Sequence, residues 1–150
     1  MAIIDTRKKP YIVDRDERVS IGIDLPFRKS NDSSGWFETT STTIEAIKTN
    51  IKNLLNTNPG ERLFQPTLGM NLRKYLFEPM NEESQILIQN EIIDTFKFWL
   101  PFVEIRDISV HMRETEGATG SYEMNLSMTF NIKQDPNTLE SVQIVITGED

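Results

Sequence analysis

Cysteine is absent from all 150 residues. Disulfides, thiolate catalysis, iron–sulfur clusters and cysteine-held zinc are thereby excluded, which fits a reducing compartment. Histidine is scarce as well. His111 stands alone, so no second imidazole exists to share a metal or a proton with it. Neither Gly-x-Ser-x-Gly nor the phosphate-cradling Gly-x-x-x-x-Gly-Lys occurs. No apolar run is long enough to span a bilayer, so no membrane partner is expected. The opening Met1-Ala-Ile-Ile-Asp-Thr-Arg-Lys-Lys lacks the basic-then-apolar order of a secretion signal and predicts cytoplasmic synthesis. Basic charge is also short: 16 Lys and Arg face 23 Asp and Glu, a net charge of -7. A fold that grips nucleic acid usually shows a basic face, and here only Arg7, Lys8 and Lys9 cluster. Nucleic acid is therefore not an expected partner.

What remains is an ordinary globular composition, 37% apolar and 26% charged, with a length that suits one domain. Residues 1–20 are polar, mixed in charge and without period. They read as an extended arm anchored only by Tyr11, Ile12 and Val13, leaving 21–150 as a single domain. Ile21 to Phe27 suggests a short strand cut off by Pro26, and Trp36 and Phe37 are expected to close over the core. Ile44, Ile47, Ile51, Leu54 and Leu55 recur at helical spacing, which predicts a helix from Thr42 to Asn56 capped by Ser41, Thr42 or Thr43. A short helix is expected over Met70 to Phe77. Asn81, followed by Glu82 and Glu83, caps a longer one that ends near Pro101 and buries Ile88, Ile92, Phe96 and Trp99.

Strand periodicity takes over from Val103. The phase changes across Arg106-Asp107, which suggests a bulge. Tyr122 to Lys133 alternates strictly between apolar and polar. Asp135-Pro136-Asn137 reads as a turn before a final strand carrying Val142, Ile144 and Ile146. The class is α+β: a small single domain with two main helices, a short helix and a mostly antiparallel sheet of three to four strands.

One span carries more information than its neighbours. From Asn58 the chain reads Asn-Pro-Gly-Glu-Arg-Leu-Phe-Gln-Pro-Thr-Leu-Gly-Met-Asn-Leu-Arg-Lys-Tyr-Leu-Phe-Glu-Pro. Gly60 can take a positive φ after the first helix, and Pro66 and Gly69 bracket a rigid turn. Arg62 offers a planar donor fork, and Phe64, Leu68, Leu72, Leu76 and Phe77 are available to fill the space between the two long helices.

The ordered set Pro59-Gly60-Glu61-Arg62, Pro66, Gly69, Leu72 and Leu76-Phe77-Glu78-Pro79 resembles the wedge protein family of contractile-tail baseplates. That family takes in the tail-lysozyme-like wedge component of myoviruses and its relatives in R-type pyocins and type VI secretion baseplates. The resemblance covers most of residues 21–105. It implies a non-enzymatic structural protein without catalytic residues, metal or cofactor. The implied place is the tail baseplate of a virion, in several copies of a six-fold assembly. The implied partners are the sheath subunit and the larger wedge proteins of the core bundle, with tube or hub proteins as further candidates. The implied task is to join the wedge core to the first sheath ring and seed sheath assembly, with partner strands added to a small sheet. Val142, Gln143, Ile144, Val145, Ile146 and Thr147 form the edge best suited to that, because Gln143, Val145 and Thr147 carry no charge to repel a strand.

Many relatives carry Glu-Pro-Arg where the long helix meets the first meander strand, a motif implicated in docking to the core bundle. Here the residues are Leu100-Pro101-Phe102, so docking through them would be apolar; Leu100 and Phe102 are equally readable as core. The competing class is a muramidase. It needs two carboxyls across a cleft, one in apolar surroundings. Glu78, between Phe77 and Pro79, is the best acid; Asp94, Glu104 and Asp107 are equivalent as its partner. Alternatively Glu78 accepts backbone hydrogen bonds at a helix end or pairs with Arg62.

Overall fold

A computed structural model describes residues 20–30, 35–78, 81–114, 122–133 and 135–147. The expected arm, apart from Ser20, and Pro79 lie outside the described residues. Among the described residues five strands, two α-helices and a 3-10 helix follow one another: β1 (Gly22–Ile23), β2 (Thr39–Thr40), α1 (Thr43–Asn56), the 3-10 helix Leu72–Phe77, α2 (Glu82–Trp99), β3 (Val103–Glu114), β4 (Tyr122–Ile132) and β5 (Asp135–Thr147).

The helices begin where short polar side chains satisfy the free N–H groups of a first turn. Thr42 Oγ1 accepts from the Glu45 N–H at 3.3 Å, and Asn81 Oδ1 accepts from the Ser84 N–H at 2.7 Å. Ile47, Ile51, Leu54 and Leu55 of α1 are buried, as are Ile88, Ile92 and Phe96 of α2. Each such side chain removed from water is worth roughly 1.5–3 kcal/mol. The stretch over 72–77 forms a helix, but a 3-10 one that starts at Leu72 rather than Met70. Six residues are too few for a stable α-helix, and the tighter winding still buries Leu72, Tyr75 and Leu76 together.

The main sheet has the order β3-β4-β5 and is antiparallel throughout. Met124, Leu126, Met128 and Phe130 of β4 are buried, facing the same core as Val110 of β3 and Val142, Ile144 and Ile146 of β5. The intervening residues are polar and only partly buried, the one-sided pattern expected of an antiparallel sheet. The register shifts between Ile105 and Asp107, where the phase change implied a bulge. Asn131, buried at a second register shift, that of β4 against β5 between Phe130 and Ile132, accepts from Arg106 Nε at 2.7 Å and donates to Glu104 Oε2 at 3.2 Å.

Two expectations need correction. Asp135-Pro136-Asn137 is not a turn but the start of β5; the reversal is tighter and includes Lys133, and Ile132 already pairs with Asp135. The short strand expected within Ile21 to Phe27 is present and lies apart from the main sheet. It pairs with β2 in a separate two-stranded sheet, Gly22 opposite Thr40 and Ile23 opposite Thr39. Trp36 and Phe37 do not close over the core: they are 81% and 54% exposed, Phe37 resting against Phe27 with ring centroids 5.7 Å apart.

Candidate functional site

The span 58–69 folds into a tightly bonded loop between α1 and the 3-10 helix. The Asn58 backbone N–H and side-chain amide both donate to the Glu61 carboxylate, at 3.0 and 2.7 Å. Those two bonds hold its pKa below the ordinary carboxylate value, the backbone one contributing most. Gly60 N–H donates to the Pro66 carbonyl at 2.8 Å, which closes the loop on itself. Among the described residues Arg62 reaches neither Glu78 nor any other carboxylate; its Nη2 donates to Asn53 Oδ1 of α1 at 3.0 Å. Asn53 carried no earlier signal, because a polar residue on a helix can equally be plain solvent-facing surface.

Gly60 has the expected positive φ, +94°, and Gly69 has one too, +105°, for a different reason. A side chain at Gly60 would meet open space, and the helix is not capped there, since Thr57 already leaves helical geometry. At Gly69 a Cβ would lie 2.1 Å from the Thr57 carbonyl oxygen, and that carbonyl accepts from the Met70 N–H at 2.9 Å. The loop thus returns to the end of α1 so closely that only glycine fits.

Of the apolar residues expected between the helices, Leu72 and Leu76 are buried and Leu68 packs against the core from a partly buried position. Phe64 and Phe77 contradict the expectation, being 96% and 74% exposed. Leu63, beside Phe64, is 93% exposed. The loop has no helical or strand period, so nothing in the sequence ordered its side chains into an inner and an outer face.

At the end of α2, Leu100 is buried while Phe102 and Pro101 are exposed. The turn is fixed by Leu100 N–H to the Phe96 carbonyl at 2.8 Å and Lys133 N–H to the Phe102 carbonyl at 2.9 Å. Leu100 also lines a shallow recess of about 180 Å³ with Leu54, Leu68, Trp99 and Arg62. The structure therefore divides the pair: Leu100 belongs to the core and Phe102 is available at the surface.

β5 is an outer strand of the main sheet, and among the described residues no strand pairs with its second edge. Val142, Ile144 and Ile146 point into the core, and Gln143, Val145 and Thr147 are exposed. Glu140 on the same strand meets Lys48 of α1 at 2.7 Å. β3, the other outer strand, has its Ile108 carbonyl engaged by Gln89 of α2 at 3.0 Å.

Among the described residues the carboxylates assemble no acid–base pair in apolar surroundings. Glu78 is exposed, Asp94 pairs with Lys97 at 3.1 Å, and Glu104 pairs with Arg106 at 3.2 Å. His111 is exposed, opposite Asn125. Among the described residues no cluster of three or more His, Asp or Glu is placed to hold a metal ion. The densest polar group is structural in geometry: Glu91 of α2 accepts from Tyr75 Oη at 2.5 Å and from Lys74 Nζ at 3.0 Å, tying the 3-10 helix to α2. Glu91 raises the Lys74 pKa; burial raises that of Tyr75, with Glu91 adding to it.

The sequence model for the baseplate wedge protein gp25 matches residues 41–137. A candidate tail lysozyme from Geobacter sulfurreducens has the same fold, with a TM-score of 0.58 and 24% identity over 75% of this chain and 96% of that one. A chain of the anti-feeding prophage baseplate superposes with a TM-score of 0.54 and 20% identity over 85% of each chain. A chain of the type VI secretion baseplate complex gives 0.48 and 15%, over 71% of this chain and 94% of that one. No curated protein matches.

Proposed function

The chain belongs to the baseplate wedge protein gp25 family, and from that premise we propose that it joins the wedge core to the first ring of the contractile sheath and seeds sheath assembly by strand addition. It is a baseplate component, and the proposal concerns how it binds. The observation that carries it is the free edge of β5. A sheet edge offers a row of backbone donors and acceptors, and natural edges are commonly protected by charge, proline or a covering element. Along 142–147 the exposed side chains are Gln143, Val145 and Thr147, none of them charged. A partner strand laid there gains backbone hydrogen bonds along its length, and alternate side chains set its register. β3 is the weaker acceptor, because α2 already reaches its backbone through Gln89. Phe102 supplies an exposed apolar contact for the wedge core beside the fixed turn at Leu100.

In this function the domain does no chemistry. Its core holds the edge flat and in register, and its helices shield the other face of the strand. Val145→Lys places a charge on the exposed face of β5 without disturbing the core. Baseplates carrying that variant, or lacking the chain, are expected to form no sheath, while the purified variant melts like the parent. Normal sheath growth on either would defeat the proposal. A muramidase would instead release reducing sugar from peptidoglycan and lose that activity in Glu78→Gln; the exposed setting of Glu78 gives its carboxyl no apolar pocket to act from.

A further inference from the structure

Two recesses flank the C-terminal half of α1. The one beside Leu100, of about 180 Å³, is bordered by Asn50, Asn53 and Arg62. The second, of about 370 Å³, lies between Leu25-Pro26 and the helix and is bordered by Lys52, Asn53 and Asn56. Asn53 belongs to both, so they form one band across the helix. Among the described residues no carboxylate borders either recess, in a chain where 23 acidic residues face 16 basic ones. Lys48, Lys74, Lys97 and Arg106 each meet a carboxylate. The two cations of the band do not. Lys52 is half-buried, and its ammonium has no partner among the described residues. Arg62 engages only Nη2, on Asn53, and keeps the rest of its fork open. Glu61, its neighbour in sequence, bonds to Asn58 instead.

The amides between these cations also have capacity left. Asn50, Asn53 and Asn56 recur at every third residue of α1, ~4.5 Å apart along its axis. Asn50 makes no side-chain bond among the described residues, Asn53 keeps its Nδ2 and Asn56 its Oδ1. A side-chain amide offers one donor group and one acceptor, the same pair that a peptide unit presents. Three of them over ~9 Å match about three residues of extended backbone. We propose that this band binds an extended acidic segment of a neighbouring baseplate protein. Arg62 and Lys52 each take a carboxylate, one in each recess, and the asparagine amides bond the backbone between. The choice of partner rests on the baseplate reading above. An open guanidinium fork favours a carboxylate, which it can bond through both oxygens. The recess beside Arg62 is smaller than the roughly 300–1,000 Å³ of small-molecule sites and suits a single side chain. Nucleic acid carries anions too, but a net charge of -7 opposes its approach.

The test uses baseplates purified from cells that make the full set of tail proteins. A water-soluble carbodiimide joins an amine to a carboxylate only where the two touch. It is expected to link Lys52 to an Asp or Glu of another chain, identified by mass spectrometry. Lys52→Arg is expected to lose that link while the chain stays bound. With the chain in limiting amount, Lys52→Glu and Arg62→Glu are each expected to lower its retention in baseplates about tenfold, because like charges then meet. Should Arg62→Glu melt early through loss of the Asn53 bond, Lys52→Glu decides, since its ammonium holds no bond in the fold. Full retention of Lys52→Glu would overturn the proposal. So would Lys52 links confined to carboxylates of its own chain, or no link at all. Release of the parent chain by nuclease would overturn it in favour of a polynucleotide. A fully retained parent chain with no Lys52 link defeats this contact and leaves the baseplate reading standing, whereas a parent chain absent from purified baseplates would defeat both.

Discussion

Replacing Gly69 by alanine tests the close return of the loop on α1, and its cost can be worked from the geometry. At φ +105° an L side chain is strained by about 1–2 kcal/mol. The new Cβ would also sit 2.1 Å from the Thr57 oxygen and 2.7 Å from its carbonyl carbon. The obstacle is backbone at the end of a helix, so no flexible side chain can swing aside. Moving the segments apart breaks the Met70 N–H bond to the buried Thr57, which costs about 1–3 kcal/mol for an orphaned carbonyl. Stiffening of the unfolded chain returns about 0.4–1 kcal/mol. The net loss is about 2–4 kcal/mol, or roughly 4–16 °C in Tm for a domain of this size. Gly60→Ala is the internal control: its φ of +94° carries the strain but its Cβ meets open space, so the loss should be about 1 kcal/mol. Urea denaturation of both variants measures the difference. Equal midpoints for the two would refute the close-approach explanation of Gly69.

Phe130→Ala should cost about 3–5 kcal/mol in urea denaturation, because the ring is 1% exposed, whereas Leu63→Ala should move stability by no more than about 0.5 kcal/mol. Lys74 and Tyr75 both have raised pKa values, so the stability they contribute is complete below their ordinary values near about 10 and is lost as pH rises through the folded ones. Thermal melts should therefore fall in alkali, and less steeply in Glu91→Gln, where the Lys74 ion pair is gone but Tyr75 stays buried. Glu61 has the opposite sign: its depressed pKa gives stability that is present above the ordinary carboxylate range and lost as pH falls through the folded value. Its carboxyl resonance should titrate at lower pH than in an Asn58→Ala variant, which removes the side-chain half of the clasp.

Where a regular period governs the chain, local pattern and tertiary position agree. The faces of α1 and α2, the caps at Thr42 and Asn81, the bulge at Ile105–Asp107 and the inward residues of β4 and β5 are all legible in the sequence and present in the fold. Period fixes which side chains share a face, and one buried face per element then fixes where that face points. Where no period exists, composition misleads. Phe64, Trp36 and Phe37 are apolar, yet they lie outside because no helix or long strand orients them to the core, and Phe77, last in the 3-10 helix, falls off the face that buries Leu72, Tyr75 and Leu76. The Asp135-Pro136-Asn137 turn failed for a related reason: turn residues describe local preference, and pairing with β4 overrides it at a strand's first residues.

By itself, the sequence determined the class, the family and the residues that could build the span 58–79. Those follow from spacing and from residue types that few backbones can use, such as glycine at positive φ. Only the tertiary structure decided that Arg62 serves Asn53, that Leu100 is core while Phe102 is surface, and that among the described residues no strand pairs with the second edge of β5. Each of those depends on which distant segments come within a few ångströms of one another, and residue order along one chain does not encode that distance directly.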